Sequence, residues 1–197
     1  LIGFFSLFYL IAILFACGNV YALQLSIGNL NEKAGFMVEA DEIRGDGFGL
    51  WLTSNDVNPA GESYLNIDSS LPMPRILMDH VKIWGLRITK DIDLSSYSSL
   101  LSSVGLGNAA TMRLIITADT SSKPVVGTDL KQDVTAMSTN LSELYLFKVV
   151  DGELRAMVVY ITDAKLKTHR LKMSSISIPG LQVQAELYDA AGNKIAP

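Results

Sequence analysis

The chain has 197 residues, with 16 Lys and Arg against 20 Asp and Glu, and its formal net charge is -4. Proteins that bind nucleic acid usually carry an excess or a stripe of positive charge, so this balance argues against nucleic acid as a partner. Hydrophobic residues make up 49% of the chain, which is enough for a buried core and excludes disorder by composition.

The first residues, LIGFFSLFYLIAILFA, form an uncharged apolar stretch. It is short for a membrane-spanning helix, which needs about 20 residues, but its length is typical of the hydrophobic helix of a signal peptide. We expect residues 1–22 to be a signal peptide that is cut after Ala22, where Val20-Tyr21-Ala22 supplies small or modest residues. Two alternatives stay open: Leu14-Phe15-Ala16-Cys17 resembles a lipobox in which Cys17 is lipidated, or the stretch remains as an uncleaved anchor.

Cys17 is the only cysteine of the chain. The remainder, residues 23–197, therefore has no thiol and forms no disulfide, which suits an oxidising compartment outside the cytoplasm. We expect these residues to form a single β-rich domain that is stabilised by burial alone. The expected location is the periplasm, the outer membrane or the cell surface of a bacterium.

From Leu23 onward, apolar residues recur with a period of two, which is typical of half-buried strands. In the two clearest cases, LQLSIGN and LQVQAELY, the residues expected to face the core are Leu23, Leu25, Ile27, Leu181, Val183, Ala185 and Leu187. Other short segments rich in β-branched or aromatic residues predict further strands: GFMVEADEI, FGLWLT, SYLNID, VKIWGLRIT, TMRLIITA, ELYLFKVV, ELRAMVVYI and LKTHRLKM.

Turn residues between these segments favour antiparallel pairing. Asp151-Gly152 matches a two-residue hairpin loop, because both residues accept the positive φ angles of a type I′ turn. Gly45-Asp46-Gly47, Pro179-Gly180 and Ala191-Gly192-Asn193 predict three further turns. Long helical crossovers, which parallel sheets require, are mostly lacking in the pattern.

One segment, about 93–104, has helical spacing instead. Leu94, Tyr97, Leu101 and Val104 share one stripe, with Asp93 as a candidate N-cap and Gly105 just past the end. We expect this stripe to pack on the sheet. Residues 120–140 have weaker periodicity and are expected to form a long connection or an irregular strand pair. The predicted fold is mainly β, an antiparallel β-sandwich-like or elongated sheet with one short helix. A β-solenoid and a sheet curled around a lipid are the alternatives.

No residue pattern predicts a catalytic, cofactor or metal site. His80 and His169 are the only histidines and have no partner pattern, and no Gly-x-Ser-x-Gly motif occurs. The acidic residues Glu39, Asp41 and Glu42, and the pair Asp91 and Asp93, match no calcium-loop spacing, so we interpret them as solvated charges.

Three short motifs invite a functional interpretation, and each has a plainer one. Arg44-Gly45-Asp46 is an adhesion tripeptide, but it is also an ordinary sequence for the tip of a hairpin. Asn140-Leu141-Ser142 fits a glycosylation sequon that bacterial export would leave unused. Trp51, Tyr64 and Trp84 are candidates for a ligand groove, although aromatic residues in strands belong more often to a core.

The densest positive charge is AKLKTHRLK, whose basic residues are Lys165, Lys167, His169, Arg170 and Lys172. On a strand, the first three would project from one face and the last two from the other. This run is a candidate patch for an anionic ligand, such as a lipid phosphate or a glycan. The favoured interpretation is a lysine-rich edge strand that guards against aggregation.

These observations predict a non-enzymatic, exported protein of the bacterial cell envelope with a structural or interaction role, bound to another envelope protein, a glycan or a lipid. Membrane attachment is expected only through the signal stretch or a lipidated Cys17. A lipid-binding β protein of the periplasm or outer membrane is the alternative. A hydrolytic enzyme is the third and least favoured hypothesis.

Overall fold

A computed structural model describes residues 20–27, 35–53, 73–150 and 153–196. Strands make up 70% of the structure, nearly all of the pairing is antiparallel, and there is one short helix. The mainly β, antiparallel fold class is thus confirmed. The apolar stretch of the signal peptide, Cys17 and the predicted strand SYLNID with Tyr64 lie outside the described residues. Ala22 lies within the described range 20–27, and cleavage after it stays a prediction.

The strands are β1 Val20–Ile27, β2 Phe36–Thr53, β3 Met73–Trp84, β4 Arg87–Asp93, β5 Ala109–Thr117, β6 Val125–Tyr145, β7 Lys148–Val150, β8 Glu153–Lys172, β9 Ser175–Ser177, β10 Gln182–Asp189 and β11 Lys194–Ala196. They form one sheet, with β7 at one end and β11 at the other. Each pairing between these strands is antiparallel, which speaks against the β-solenoid alternative, whose coils stack in parallel.

Four long strands close the sheet on itself. β2 pairs with β3 on one edge and with β8 on the other, and β6 likewise pairs with both β3 and β8. We call these four strands the closed ring. Each of the four strands therefore has a paired neighbour on both sides over at least part of its length.

The remaining strands extend or cover this ring. β4 continues the line of β3 and pairs with β5, which pairs in turn with β10, and β10 pairs with β11. We call β4, β5, β10 and β11 the open sheet. β1 and β9 pair with opposite ends of β6, and β7 forms a hairpin with β8.

The core of the molecule lies inside the closed ring. Its buried side chains come from all four ring strands and include Ile43, Val81, Val134, Leu144 and Val159. Leu144, Val134 and Val159 have no exposed surface. Packing of these inward residues, rather than hydrogen bonding alone, provides the main stabilisation expected for such a sheet.

Sharp bends at two levels allow the ring to close. The buried face of β2 changes from even-numbered to odd-numbered residues between Ala40 and Ile43. It changes back to even-numbered residues between Gly45 and Phe48. At the first change, Gly85 and Asp163 on the neighbouring strands have φ of 64° and 52°. At the second, Gly47 itself has φ of 63°, and Asp129 on β6 has 51°. Left-handed residues on both sides of β2 at the first level, and on both sides of β3 at the second, thus bend the sheet together, as β-bulges do in other curved sheets.

The hairpin predicted at Gly45-Asp46-Gly47 is wrong. These residues lie in the middle of β2, and the segments GFMVEADEI and FGLWLT form one continuous strand. Gly45 does not have a positive φ, so its glycine is not required by the backbone conformation. A Cβ there would collide with Met78 and would lie 3.2 Å from Val159 Cγ1. Its glycine therefore serves close packing inside the ring, not a turn. The Arg44-Gly45-Asp46 tripeptide consequently is not displayed at a loop tip.

Two other connections were predicted where the structure has strands. Residues 120–140 were expected to form a long connection or an irregular strand pair, but most of them lie in β6, Val125–Tyr145, the longest strand. ELRAMVVYI and LKTHRLKM merge into β8. In both strands polar residues interrupt the apolar alternation, because β6 and β8 bend and their register shifts at four points between Asp133 and Glu143. A period-two pattern cannot survive such shifts.

Several predicted turns are confirmed. Val150 pairs with Glu153, so β7 and β8 are joined through the two residues of Asp151-Gly152, which lie outside the described residues. Gly180 and Gly192 have φ of 53° and 84° in the turns that precede and follow β10. β10 itself is confirmed as a strand, but its predicted inward face is wrong. Leu181 and Val183 are 54% and 60% exposed, because no other described strand covers that side of the open sheet.

The predicted helix is present but shorter. A 3-10 turn, Ser95–Tyr97, leads into α1, Ser98–Ser103. Asp93 Oδ1 accepts the Ser95 N–H at 2.8 Å, and Gly105 adopts the expected left-handed conformation just past the end. The packing prediction is wrong for most of the stripe: Leu94 is buried, but Tyr97 and Val104 are 55% and 64% exposed. In the described part of the chain, no helix has the length and apolarity needed to span a bilayer.

Candidate functional site

The best-organised group of exposed side chains lies on the outer face of the closed ring. It consists of Glu42 and Arg44 from β2, Trp84 from β3 and Tyr160 from β8, and we call it the outer cluster. The strand register brings these residues together, since Glu42 lies opposite Trp84 and Arg44 lies opposite Tyr160. Three neighbouring strands thus fix one compact group.

Glu42 orients the other members of the outer cluster. Its Oε1 accepts the Arg44 Nε–H at 2.6 Å, and its Oε2 accepts the Tyr160 hydroxyl at 2.9 Å. The Arg44 guanidinium then lies 5.4 Å from the centre of the Trp84 ring and 5.0 Å from that of Tyr160. Both distances are within the range of cation–π attraction.

The outer cluster stays charged and accessible. The hydrogen bond that Arg44 donates to Glu42 is the main cause that raises the pKa of Arg44, so the guanidinium is protonated at any physiological pH. The Arg44 side chain is nevertheless 59% exposed. The arrangement therefore presents a fixed cation and two half-exposed aromatic rings to the solvent, which suits recognition of a partner better than proton transfer.

Charged residues surround the outer cluster on the same face. Lys82 lies opposite Arg44 in the register of β2 and β3, and Glu143 lies opposite Tyr160 in that of β6 and β8. Further along the sheet, Glu39 lies between Arg87 and Lys165. Its Oε2 is 3.7 Å from Arg87 Nε, and its Oε1 is 3.8 Å from Lys165 Nζ. Positive and negative side chains alternate here, so these residues do not form a concentrated patch of one charge.

A second arginine–tyrosine group lies on the open sheet. Arg113 Nε and a terminal nitrogen donate to the two carboxylate oxygens of Asp91 at 2.7 Å and 2.9 Å. The Arg113 guanidinium is also 4.9 Å from the ring of Tyr188, whose hydroxyl donates to Glu186 at 2.6 Å. Lys194 completes the group with an ion pair to Glu186. The group resembles the outer cluster in chemistry and provides a matched control for it.

The Asp91–Arg113 pair predicts a contribution to acid stability. The hydrogen bond from Arg113 is the main cause that lowers the pKa of Asp91 in the folded protein. Because the folded pKa lies below the unfolded value of about 3.9, the contribution is complete above that pH and is lost as the pH falls through the folded pKa. Urea unfolding of the wild type and of Asp91→Asn should therefore differ most at neutral pH and converge in acid, at a pH below the folded pKa of Asp91. Curves that stay equally far apart at both pH values would contradict this.

The basic residues of AKLKTHRLK are dispersed by the fold. Lys165 and Lys172 are exposed, Lys167 is only 8% exposed, and His169 and Arg170 are half-buried. The expected division into two faces is interrupted because Arg170 lies opposite Asp133 while Thr168 lies opposite Val134, which makes His169 a bulge. The edge-strand interpretation is wrong for residues 165–168, where β8 is paired with both β2 and β6. Residues 170–172 are paired with β6 alone among the described strands.

The other residues singled out in the sequence have separate surroundings. His80 is exposed on β3, and Asn140 donates to Asp163 Oδ2 at 2.8 Å from within β6. Glu39 and Asp91 have the cationic neighbours described above, and Asp93 accepts the Ser95 N–H. No group of three or more His, Cys, Asp or Glu side chains suited to a metal ion is found among the described residues. Trp51 lies in β2 opposite Glu153, and its side chain is not described.

Sequence reasoning missed most of the outer cluster. Trp84 was noted as a candidate, but Glu42 was interpreted as solvated and Tyr160 was not singled out. Glu42 and Tyr160 are 118 residues apart in the chain, so only the pairing of β2 with β8 reveals their contact. A usable signal was the presence of a tryptophan and a tyrosine in two of the predicted strands and of an arginine just past the end of a third.

Comparison with known proteins finds no family model, no curated protein and no solved structure that matches the chain.

Proposed function

We propose that this protein is a non-enzymatic component of a bacterial cell envelope that binds a protein partner through the outer cluster. The observation that carries the proposal is the fixed group of Arg44, Trp84 and Tyr160 on a rigid sheet. Export is supported by the apolar stretch at residues 1–16 and by the lack of cysteine after Cys17.

The composition of the outer cluster favours a protein over a glycan as the partner. Tryptophan, tyrosine and arginine are the residues most enriched among those that dominate the binding energy of protein interfaces. Such residues typically lie at the centre of a patch with a polar rim. Here Lys82, Glu143, Glu39 and Lys165 provide the rim. Because Glu42 already holds Arg44 and Tyr160, little side-chain entropy remains to be lost when a partner binds.

The site of signal cleavage affects the fold that carries this surface. A cut after Ala22 retains Leu23–Ile27 of β1, whose residues pair with Met137 to Leu141 of β6. Lipidation at Cys17 retains the whole of β1 and tethers the chain three residues before it. Both forms keep β2, β3 and β8, and therefore the outer cluster.

A photo-crosslinking experiment tests the protein partner. We expect p-benzoylphenylalanine at position 82, next to the outer cluster, to form a protease-sensitive adduct of defined mass in cells of the native host. The same group at position 123, on the exposed Lys123 loop, should form none. Trp84→Ala or Arg44→Ala should abolish the adduct, because each removes one of the central contacts. Arg113→Ala, which dismantles the matched group on the open sheet, should leave it intact.

Three results would overturn this proposal. One is an adduct at position 82 that persists in both Trp84→Ala and Arg44→Ala while these variants remain folded by circular dichroism. Another is an equal adduct at positions 82 and 123. The third is an adduct that resists protease and is removed by glycosidase, which would assign the surface to a glycan.

A further inference from the structure

A small apolar cavity lies inside the closed ring, on the side of the sheet opposite to the outer cluster. Its volume is about 40 Å³, and its walls include Met78, Met137, Ala164 and Leu166. Two polar side chains also line it, and both are satisfied by the protein. Gln132 Nε2 donates to Thr168 Oγ1 at 2.7 Å, and Thr139 Oγ1 donates to the carbonyl oxygen of Thr162 at 3.3 Å. A cavity without free polar partners does not hold ordered water and favours apolar groups.

The cavity has a mouth at one end of the ring. Of the residues that line it, Ile88, Leu171, Met173 and Ile176 are not fully buried, and Ile176 is 49% exposed. We call these four residues the ring mouth. Ile88 is paired with Val38 near the start of β2, whereas Leu171 and Ile176 are paired with Gln132 and Gly127 of β6. An apolar group can therefore enter from solvent.

Apolar surface continues from the ring mouth across one side of the open sheet. Ile88 lies opposite Ile116, which lies opposite Val183. The row four residues along β4 is also apolar, with Ile92 opposite Met112 and Met112 opposite Leu187. Between these rows stands Lys90, which is the only charged side chain at these positions of β4, β5 and β10.

The Lys90 ammonium can donate more hydrogen bonds than the one described here. Its Nζ donates to the carbonyl oxygen of Gly35 at 2.7 Å, across the gap between β4 and the start of β2. A lysine ammonium has three N–H groups, and Lys90 forms no ion pair with the residues that the structure describes. A half-buried cation beside an apolar opening complements an anion attached to an apolar chain.

We propose that the ring mouth and the cavity bind a single-chain alkyl carboxylate, with the end of the chain in the cavity and the carboxylate at Lys90 Nζ. A cavity of about 40 Å³ admits one chain end and not the two chains of a phospholipid. Met78, Met137 and Met173 line the path, and their unbranched side chains can change rotamer to widen it. The site is independent of the outer cluster, which lies on the other face of the same strands.

Calorimetric titration of the purified full chain with decanoate tests this site. We expect saturable binding at one site per chain. Lys90→Met should weaken it roughly ten-fold or more, because a charge-assisted hydrogen bond is lost, and decyltrimethylammonium should not bind. Lys148→Met, which removes an exposed lysine of β7, is the matched control and should bind as the wild type does. Ala164→Leu should abolish binding by filling the cavity, and Ala164→Val should weaken it if the leucine variant does not fold.

Absence of saturable decanoate binding up to millimolar concentration overturns the proposal. Equal affinity for decanoate and decyltrimethylammonium, or unchanged affinity in Lys90→Met, overturns the assignment of the carboxylate to Lys90. Unchanged affinity in a folded Ala164→Leu or Ala164→Val variant places the chain outside the cavity and overturns that part. None of these results bears on the crosslinking experiment, because its variants alter only the outer face.

Discussion

Replacing Asp133 with alanine is expected to lower the free energy of unfolding by about 3–5 kcal/mol. Asp133 Oδ1 accepts the Arg75 Nε–H at 2.6 Å, and the two side chains are only 4% and 9% exposed. The substitution removes the carboxylate that neutralises this buried guanidinium, and burial of a charge without its partner is costly. The strand register adds to the effect, since Asp133 also lies opposite Arg170 of β8. Removing it leaves two arginines on either side of β6.

The measurement is urea unfolding at neutral pH, with two controls. Glu39→Ala removes a cross-strand carboxylate whose pairs with Arg87 and Lys165 are exposed, and it should cost less than about 1 kcal/mol. The double variant Arg75→Met/Asp133→Leu should recover much of the loss, because an apolar pair of similar size avoids the desolvation of both charges. A loss in Asp133→Ala no larger than that in Glu39→Ala would show that the buried pair does not stabilise the ring.

Replacing Gly85 with alanine is expected to cost about 2–4 kcal/mol, from backbone strain and overpacking together. Gly85 has φ of 64°, in the left-handed region that side chains disfavour. An added Cβ would also overlap the Asp41 carboxylate and lie 2.9 Å from Asp41 Cβ. The backbone cannot shift easily to relieve this, because the Gly85 N–H donates to Thr120 Oγ1 at 2.8 Å at the bend between β3 and β4.

Gly105→Ala is the matched control for Gly85→Ala. Gly105 has φ of 80°, but nothing lies within 4 Å of an added Cβ, so it should show the strain alone, about 1–2 kcal/mol. The difference between the two variants measures the steric cost at the bend. Adding Asp41→Gly to Gly85→Ala should recover part of this difference in a double-mutant cycle. Equal losses at Gly85 and Gly105 in thermal unfolding would falsify the steric argument.

The two predictions also indicate where sequence reasoning reached its limit. Arg75 and Asp133 are 58 residues apart, and neither has a local pattern that predicts burial. Gly85 interrupts a predicted strand, but its sequence neighbours do not show that Asp41 faces it. In both cases the decisive contact arises from pairing between distant strands, and such pairing depends on the register of the whole sheet.

The candidate site was less predictable than the fold for the same reason. Trp84 carries a signal of its own because an exposed tryptophan is uncommon. Arg44 was placed at a hairpin tip, since Gly-Asp-Gly is strong turn chemistry. Close packing of Gly45 against Met78 and Val159 overrides that tendency and keeps Arg44 within a strand. Its partner Tyr160 is the only tyrosine, phenylalanine or tryptophan of β8, but nothing in the local sequence shows that it contacts β2.

By itself, the sequence determined the antiparallel β class, the hairpin at 151–152, the turns on either side of β10 and a short helix that ends before Gly105. These features depend on alternation between neighbouring residues and on the φ angles that Gly, Asp and Asn accept, both of which are local. Only the tertiary structure decided the closure of β2, β3, β6 and β8 into a ring, the outer cluster, the buried Arg75–Asp133 pair and the exposed face of β10. These features depend on which distant strands become neighbours, because the bends at Gly85 and Gly47 shift the inward face along a strand and a simple alternation cannot encode that shift.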